Sequence, residues 1–292
     1  MPASNQDIWS QWILHRRFGG DERAMQESFE KYLYPWRDRI LDRADIKEGE
    51  TLLDVGCGDG LIAFGALERT KTGTVIFSDI SQDLLDHSQK LAQQMGLLER
   101  CRFLKLSAED LSSLANGSVD VVTTRSVLIY VPAKQKALQE FYRVLRPGGR
   151  LSIFEPINRF GWPEPDDRFG GYDATPVKEI ALKVKGLFDR IQPPDEDPML
   201  DFDERDLLRF AEAAGFREVH LDLQAEIRPP DAEKWETIYR SAANPKVPSL
   251  EEAVKQVLTP EEARRFIDHL RPLAKAGQGM QRRALAFLWA VK

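Results

Sequence analysis

From residue 51 onward the apolar positions switch between two periods. Residues 52–55, 74–78, 102–106, 119–124 and 150–155 are short, mostly apolar runs of strand length, whereas 61–69, 82–95 and the stretch opened by Pro132 carry apolar residues at helical spacing. In the last of these, Leu138, Phe141, Val144 and Leu145 mark the inward face, and Pro147-Gly148-Gly149 ends the helix. Ser81 is placed to cap the second helix and Gly96 to stop it. Strand and helix in regular alternation predict a parallel sheet joined by right-handed crossovers.

The pattern differs on either side of this block. Residues 1–50 read as a helical lead-in: Asp21 is a cap, and Phe29, Tyr32, Leu33, Trp36, Ile40 and Leu41 form an apolar stripe that predicts packing on the core. Ahead of it, Trp9, Trp12, His15 and Arg16 are candidates for a lid over a nearby cleft. After Glu155 the regularity breaks. Residues 156–200 hold seven prolines with interleaved aromatics, an insertion of the length that usually carries function. A helix over 204–214 closed by Gly215, and a strand over 219–227, resume the alternation. A second, mostly helical insertion fills 229–283 before a last apolar strand over 284–291. The expected division is a lead-in over 1–50 and a main domain over 51–292 with insertions at 156–200 and 229–283.

Composition narrows the function classes. With 42% hydrophobic and 30% charged residues, the 292-residue chain reads as an ordered globular protein large enough for a substantial core. Its 41 basic and 47 acidic residues leave a net charge of -6, against a broad nucleic-acid surface. No apolar run is long enough to span a bilayer, and Met1 to Asp7 lack the basic-then-apolar order of a signal peptide, so a cytoplasmic protein with no membrane partner is expected. Cys57 and Cys101 are too few for a disulfide framework, and His15, His87, His220 and His269 have no metal-ligand spacing; no metal is expected.

The candidate chemistry begins at Asp54-Val55-Gly56-Cys57-Gly58-Asp59-Gly60, where a buried strand runs into a glycine turn. The dinucleotide fingerprint Gly-x-Gly-x-x-Gly fails, because its last position falls on Leu61. What remains, Asp54-x-Gly56-x-Gly58-x-Gly60, resembles the first motif of the class I S-adenosylmethionine-dependent methyltransferases, and Phe141-Tyr142-Arg143-Val144-Leu145-Arg146-Pro147-Gly148-Gly149-Arg150-Leu151 resembles that family's post-motif segment. The resemblance covers about residues 50–156 closely and the later sheet elements loosely. It implies an α/β, doubly wound, mostly parallel seven-stranded sheet with the last strand antiparallel.

It also implies S-adenosylmethionine as cofactor. Asp54, Gly56, Cys57 and Gly58 would form the floor under its methionine part. Asp79, at the end of the next strand, suits the ribose, since a carboxylate accepts two hydrogen bonds from a vicinal diol; Ile80 would pack on the adenine. The turn Leu106-Ser107-Ala108-Glu109-Asp110-Leu111 resembles the adenine-binding turn. Ser107, Glu109 and Asp110 are candidates to read the exocyclic amine, with Ala108 backbone and Glu109 favoured. Arg125 would meet a carboxylate or the methionine end.

The sulfonium carries its own electrophilicity, so alignment and water exclusion are the protein's main tasks. Tyr130, Glu155 and His15 are the candidates if the acceptor must lose a proton. The aromatic and proline content of the lead-in and insertions predicts a partly apolar pocket and hence a small-molecule O-, N- or C-methyltransferase. The alternatives are methylation of a protein side chain and a non-catalytic cofactor-binding regulator. Oligomeric state is left open.

Overall fold

The structure, a computed structural model, describes residues 7–230 and 235–292; Met1 to Gln6, on which the leader reading rests, and 231–234 of the second insertion lie outside the described residues. Seven strands form one sheet: β1 (Thr51–Val55), β2 (Thr74–Asp79), β3 (Cys101–Lys105), β4 (Val119–Arg125), β5 (Leu145–Pro156), β8 (Glu218–Arg228) and β9 (Gln281–Val291). Their order is β3-β2-β1-β4-β5-β9-β8. The first five pair in parallel, and β9 runs antiparallel between β5 and β8. This is the doubly wound seven-stranded sheet with an antiparallel last strand that was expected. The order reverses between β1 and β4, so the carboxyl ends of these strands border the crevice where such sheets bind ligands.

Alternation along the central strands explains the two layers. Leu52, Val75, Phe77 and Val121 face α3 (Tyr34–Ala44) and α4 (Leu61–Arg69), packing with Ile40, Leu41, Ile62 and Ala66. Their neighbours Leu53, Ile76 and Val122 point the other way, into a core with Leu138, Phe141 and Val144 of α6 (Lys134–Val144) and Leu207 and Ala211 of α8 (Glu204–Ala214). A fully buried ring such as Phe141 contributes about 1.5–3 kcal/mol by leaving water. Local signals set the helix ends. Ser81 Oγ accepts from Leu84 N–H at the start of α5 (Gln82–Gln94), and Gly96 at φ 69° follows its end. The Pro147-Gly148-Gly149 segment differs from expectation: α6 stops at Val144 and β5 already begins at Leu145, with a register shift against β4 at Val119/Val121.

The lead-in holds three helices: α1 (Ile8–Gln11), continued by a π turn over Trp12–Arg16; α2 (Glu22–Ser28), capped by Asp21; and α3, whose Trp36 stacks on Phe154 with ring centroids 4.9 Å apart. The two insertions pack on one another. A hairpin of β6 (Arg168–Phe169) and β7 (Tyr172–Asp173), α7 (Lys178–Ile191), α9 (Trp235–Arg240), α10 (Leu250–Val257) and α11 (Pro260–Lys275) share a third core, in which Tyr172, Val184 and Leu187 meet Trp235, Val254, Phe266 and Leu270. Among the described residues no helix is long and apolar enough to cross a membrane.

Candidate functional site

A cavity of about 510 Å³ opens at the carboxyl ends of β1, β2 and β4. Its floor is the glycine turn. Gly56, Gly58 and Gly60 all take positive φ (64°, 56° and 85°), which an L side chain adopts only with strain. A Cβ at Gly56 would collide with Val127, and one at Gly58 would press on Ile13. The turn is tied to β2: Cys57 N–H donates to Ser78 O at 2.9 Å, and the Asp79 carboxylate accepts Gly58 N–H on Oδ2 and Ser81 N–H on Oδ1, both at 2.9 Å. Burial raises the Asp79 carboxyl, against those backbone donors, which lower it. Ile80, half exposed, stands beside Asp79 on the cavity wall.

Asp54 lies beneath the turn, 1% exposed, and lines the cavity. Its Oδ1 accepts from Thr123 Oγ1–H at 2.9 Å, while Oδ2 has no hydrogen-bond partner. Burial pushes this carboxyl up to about 7, with the Thr123 bond and Arg125 pulling the other way. A buried carboxylate oxygen without a donor is costly, and an incoming N–H group would satisfy it. Ala108 is buried in the cavity wall; Glu109 Oε1 accepts Ala133 N–H at 2.8 Å, which leaves its second oxygen for a ligand. Every predicted cofactor residue, Asp54, Gly56, Cys57, Gly58, Asp79, Ile80, Ala108, Glu109 and Arg125, borders this one cavity.

The roof comes from both ends of the chain. Asp7 accepts Trp9 and Ser10 N–H on Oδ1 and Ser81 Oγ–H on Oδ2, anchoring α1 next to Asp79. Trp9, Trp12, Ile13 and Arg17 then line the cavity, with Ser241, Ala242 and Ala243 beside them and Met199 from the first insertion. Trp12 Nε1–H donates to Ala242 O at 2.8 Å, and Ala242 N–H returns to Arg16 O at 3.1 Å. Tyr130 meets Trp9 edge-on, with centroids 4.9 Å apart.

Of the three candidate bases, two are displaced from the cavity. His15 is exposed on the outer side of the π turn and does not line it. Glu155 is fully buried behind the wall, where Oε1 accepts Val127 and Leu128 N–H at 3.0 and 2.9 Å and Oε2 accepts Ile129 N–H at 3.2 Å. It is the clamp of a strained turn in which Ser126 sits at φ 55°. Tyr130 does line the cavity, but burial raises its phenol, so it stays neutral and is a hydrogen-bond donor rather than a base.

Burial pushes Glu155 from 4.5 to about 7, against its three backbone donors. The folded chain therefore holds a proton that the unfolded chain has lost between these values, and the contribution of Glu155 to stability falls as pH rises through them. The difference in unfolding free energy between the native chain and Glu155→Gln is expected to change by at most about 3 kcal/mol from pH 4.5 to 7. Urea titrations across that window measure it, and parallel pH profiles would rule it out.

Arg17, Met199 and the 241–243 segment were not found in the sequence. Helical spacing from Trp9, Trp12 and Ile13 points to Arg16 as readily as to Arg17; the π turn over Trp12–Arg16 shifts the inward face so that Arg17, not Arg16, lines the cavity. Arg16 instead pairs with Glu252 at 2.5 Å.

Residues 27–163 match the model of the ubiE/COQ5 methyltransferase family. That match contains the glycine turn, Asp79, the Ala108-Glu109 turn and Arg125, all on the cavity. Over these residues the chain is similar to the methyltransferases of that family. Among the proteins it resembles, the ubiquinone/menaquinone biosynthesis C-methyltransferase UbiE of Citrobacter koseri is 32% identical over 141 residues, 48% of this chain and 54% of that protein. The chain thus spans about half the length of the curated relatives it matches. Two solved structures share the fold. A geranyl diphosphate methyltransferase in complex with SAM aligns at TM-score 0.55 and 16% identity, covering 93% of this chain and 90% of its own. The [4+2]-cyclase SpnF aligns at 0.51 and 20%, covering 88% and 80%.

Proposed function

We propose that the chain transfers a methyl group from S-adenosylmethionine to an O, N or C atom of a small-molecule acceptor, in the cytoplasm, where its free thiols Cys57 and Cys101 would stay reduced. The observation that carries this reading is the Asp54 oxygen left without a donor beneath a glycine turn that Asp79 ties to β2. The donor set fits the cofactor: Gly56, Cys57 and Gly58 under the methionine part, Asp54 for its ammonium, Asp79 for the ribose diol, Ile80 for the adenine face, Ala108 and Glu109 for the adenine edge, and Arg125 for the methionine carboxylate. When bound, the cofactor supplies an electrophilic methyl on a sulfonium.

The chain's own residues then orient and dehydrate. Trp9, Trp12, Ile13 and Met199 cover the acceptor side with apolar surface. Tyr130 supplies a phenol that positions an acceptor oxygen or nitrogen by hydrogen bonding. Among the described residues lining the cavity no histidine is present, and Asp54 and Asp79 are engaged below it. Alignment of an acceptor that is already nucleophilic therefore accounts for the reaction without a dedicated base.

The fold alone does not dictate methyl transfer, since a cyclase shares it. Incubation of the protein with S-adenosylmethionine labelled in the methyl group and a cell extract is the test. Label is expected in the small-molecule fraction. Label in precipitated protein would point to side-chain methylation, and label in neither would leave a cofactor-binding regulator.

A further inference from the structure

The cavity holds two guanidinium groups that form no ion pair with the protein's own carboxylates among the described residues. Arg17 and Arg125 both line it, and among the described residues neither has a carboxylate within salt-bridge distance or a hydrogen-bond acceptor for its side chain. Most other arginines in the structure are paired: Arg16 with Glu252, Arg37 with Asp38, Arg39 with Asp222, Arg143 with Glu140. Arg17 is instead held by rings, its Cζ 5.7 Å from the centroid of Trp12 and 5.2 Å from that of Phe18. Burial and then the charge of Arg125 lower its pKa to about 10, so it remains a cation at neutral pH.

The cavity's acids make their hydrogen bonds to neutral groups of the protein rather than to the two guanidiniums: Asp79 to Gly58 and Ser81, Glu109 to Ala133, and Asp54 to Thr123. Asp59 is the carboxylate whose field most favours the charge on Arg17, yet it forms no ion pair with it. Buried charges of one sign are expensive until an opposite charge arrives. S-adenosylmethionine brings one carboxylate, together with a sulfonium and an ammonium that add positive charge. One anion for two guanidiniums leaves the acceptor side short of negative charge.

We propose that the methyl acceptor is an organic acid, an apolar body of one or two rings against Trp9, Trp12 and Tyr130 whose carboxylate is held by the Arg17 and Arg125 pair alongside that of the cofactor. A guanidinium presents parallel N–H donors that match a planar carboxylate in a bidentate pair. The cation–π contacts of Arg17 with Trp12 and Phe18 hold its guanidinium in place before the acid arrives. The proposal rests on the S-adenosylmethionine reading of the site.

Protein saturated with S-adenosylhomocysteine, titrated in a calorimeter with benzoate, 1-naphthoate and indole-3-acetate and with the three matching carboxamides, tests it. At least one acid is expected to bind about tenfold or more tightly than its amide, as a charge-assisted hydrogen-bond pair implies. That preference is expected to fall to about threefold or less in Arg17→Gln or in Arg125→Gln. The proposal is overturned if no acid is preferred over its amide in the cofactor-bound protein, or if both variants keep the preference. Absence of S-adenosylhomocysteine binding in the first titration would overturn the cofactor reading itself, an outcome visible before any acid is added.

Discussion

Replacement of Gly56 by alanine is expected to weaken S-adenosylmethionine binding by about a hundredfold or more and to lower unfolding free energy by about 2–5 kcal/mol. Two effects add. The residue sits at φ 64°, where an L side chain costs about 1–2 kcal/mol. The new methyl would also fall well inside contact distance of Val127 Cγ2, and overpacking of that kind costs about 1–3 kcal/mol. Val127 has little freedom to retreat, because its own N–H is held by Glu155 at 3.0 Å and it follows the strained Ser126. Either the turn moves toward the ligand or the Glu155 clamp opens. Calorimetry for affinity and urea unfolding for stability read the two losses separately, and native values for both would mean that the turn is looser than its contacts imply.

Asp79→Ala is expected to reduce cofactor affinity by about a hundredfold or more, since at least two hydrogen bonds to a charged acceptor, each about 1.5–3 kcal/mol, disappear from the ligand side. The substitution also leaves the Gly58 and Ser81 N–H groups without their shared acceptor, so the floor loses its link to the start of α5. Asp79→Asn separates the two roles. It retains an oxygen for one backbone donor while removing the charge, and it is expected to unfold nearer to the native protein than the alanine variant yet bind cofactor almost as poorly. Native affinity in the alanine variant would remove Asp79 from the ribose role.

The sheet and the floor were legible because their determinants are local. A five-residue strand with three apolar residues, a glycine turn and a helix occupy adjacent positions, and Asp79 is found by counting to the end of the next strand. The residue types there also have few other uses: a carboxylate at 7% exposure facing backbone donors is not a surface turn. Nothing local announced that the two insertions share a core, since Val184 and Leu187 meet Phe266 and Leu270 across a long stretch of chain and each helix alone reads as an amphipathic surface helix. Glu155 was misread for a related reason. Its position at the mouth of β5 was correct, but the direction of its side chain depended on three unsatisfied N–H groups in the turn after β4, which strand periodicity does not reveal. Arg17 was not legible because the π turn over Trp12–Arg16 shifts the face that regular helical spacing assigns inward, and nothing in the local sequence marks that turn.

The roof joins Trp12 to Ala242, 230 residues apart, whereas the floor residues Asp54, Gly56, Gly58, Asp79, Ala108 and Arg125 fall within the first five strands and their turns. Floor and roof of the cavity are thus drawn largely from different stretches of the chain. Substitutions at Trp9, Trp12, Met199 or residues 241–243 can reshape the roof while the hydrogen bonds that hold the floor, from Gly58 and Ser81 to Asp79, are retained.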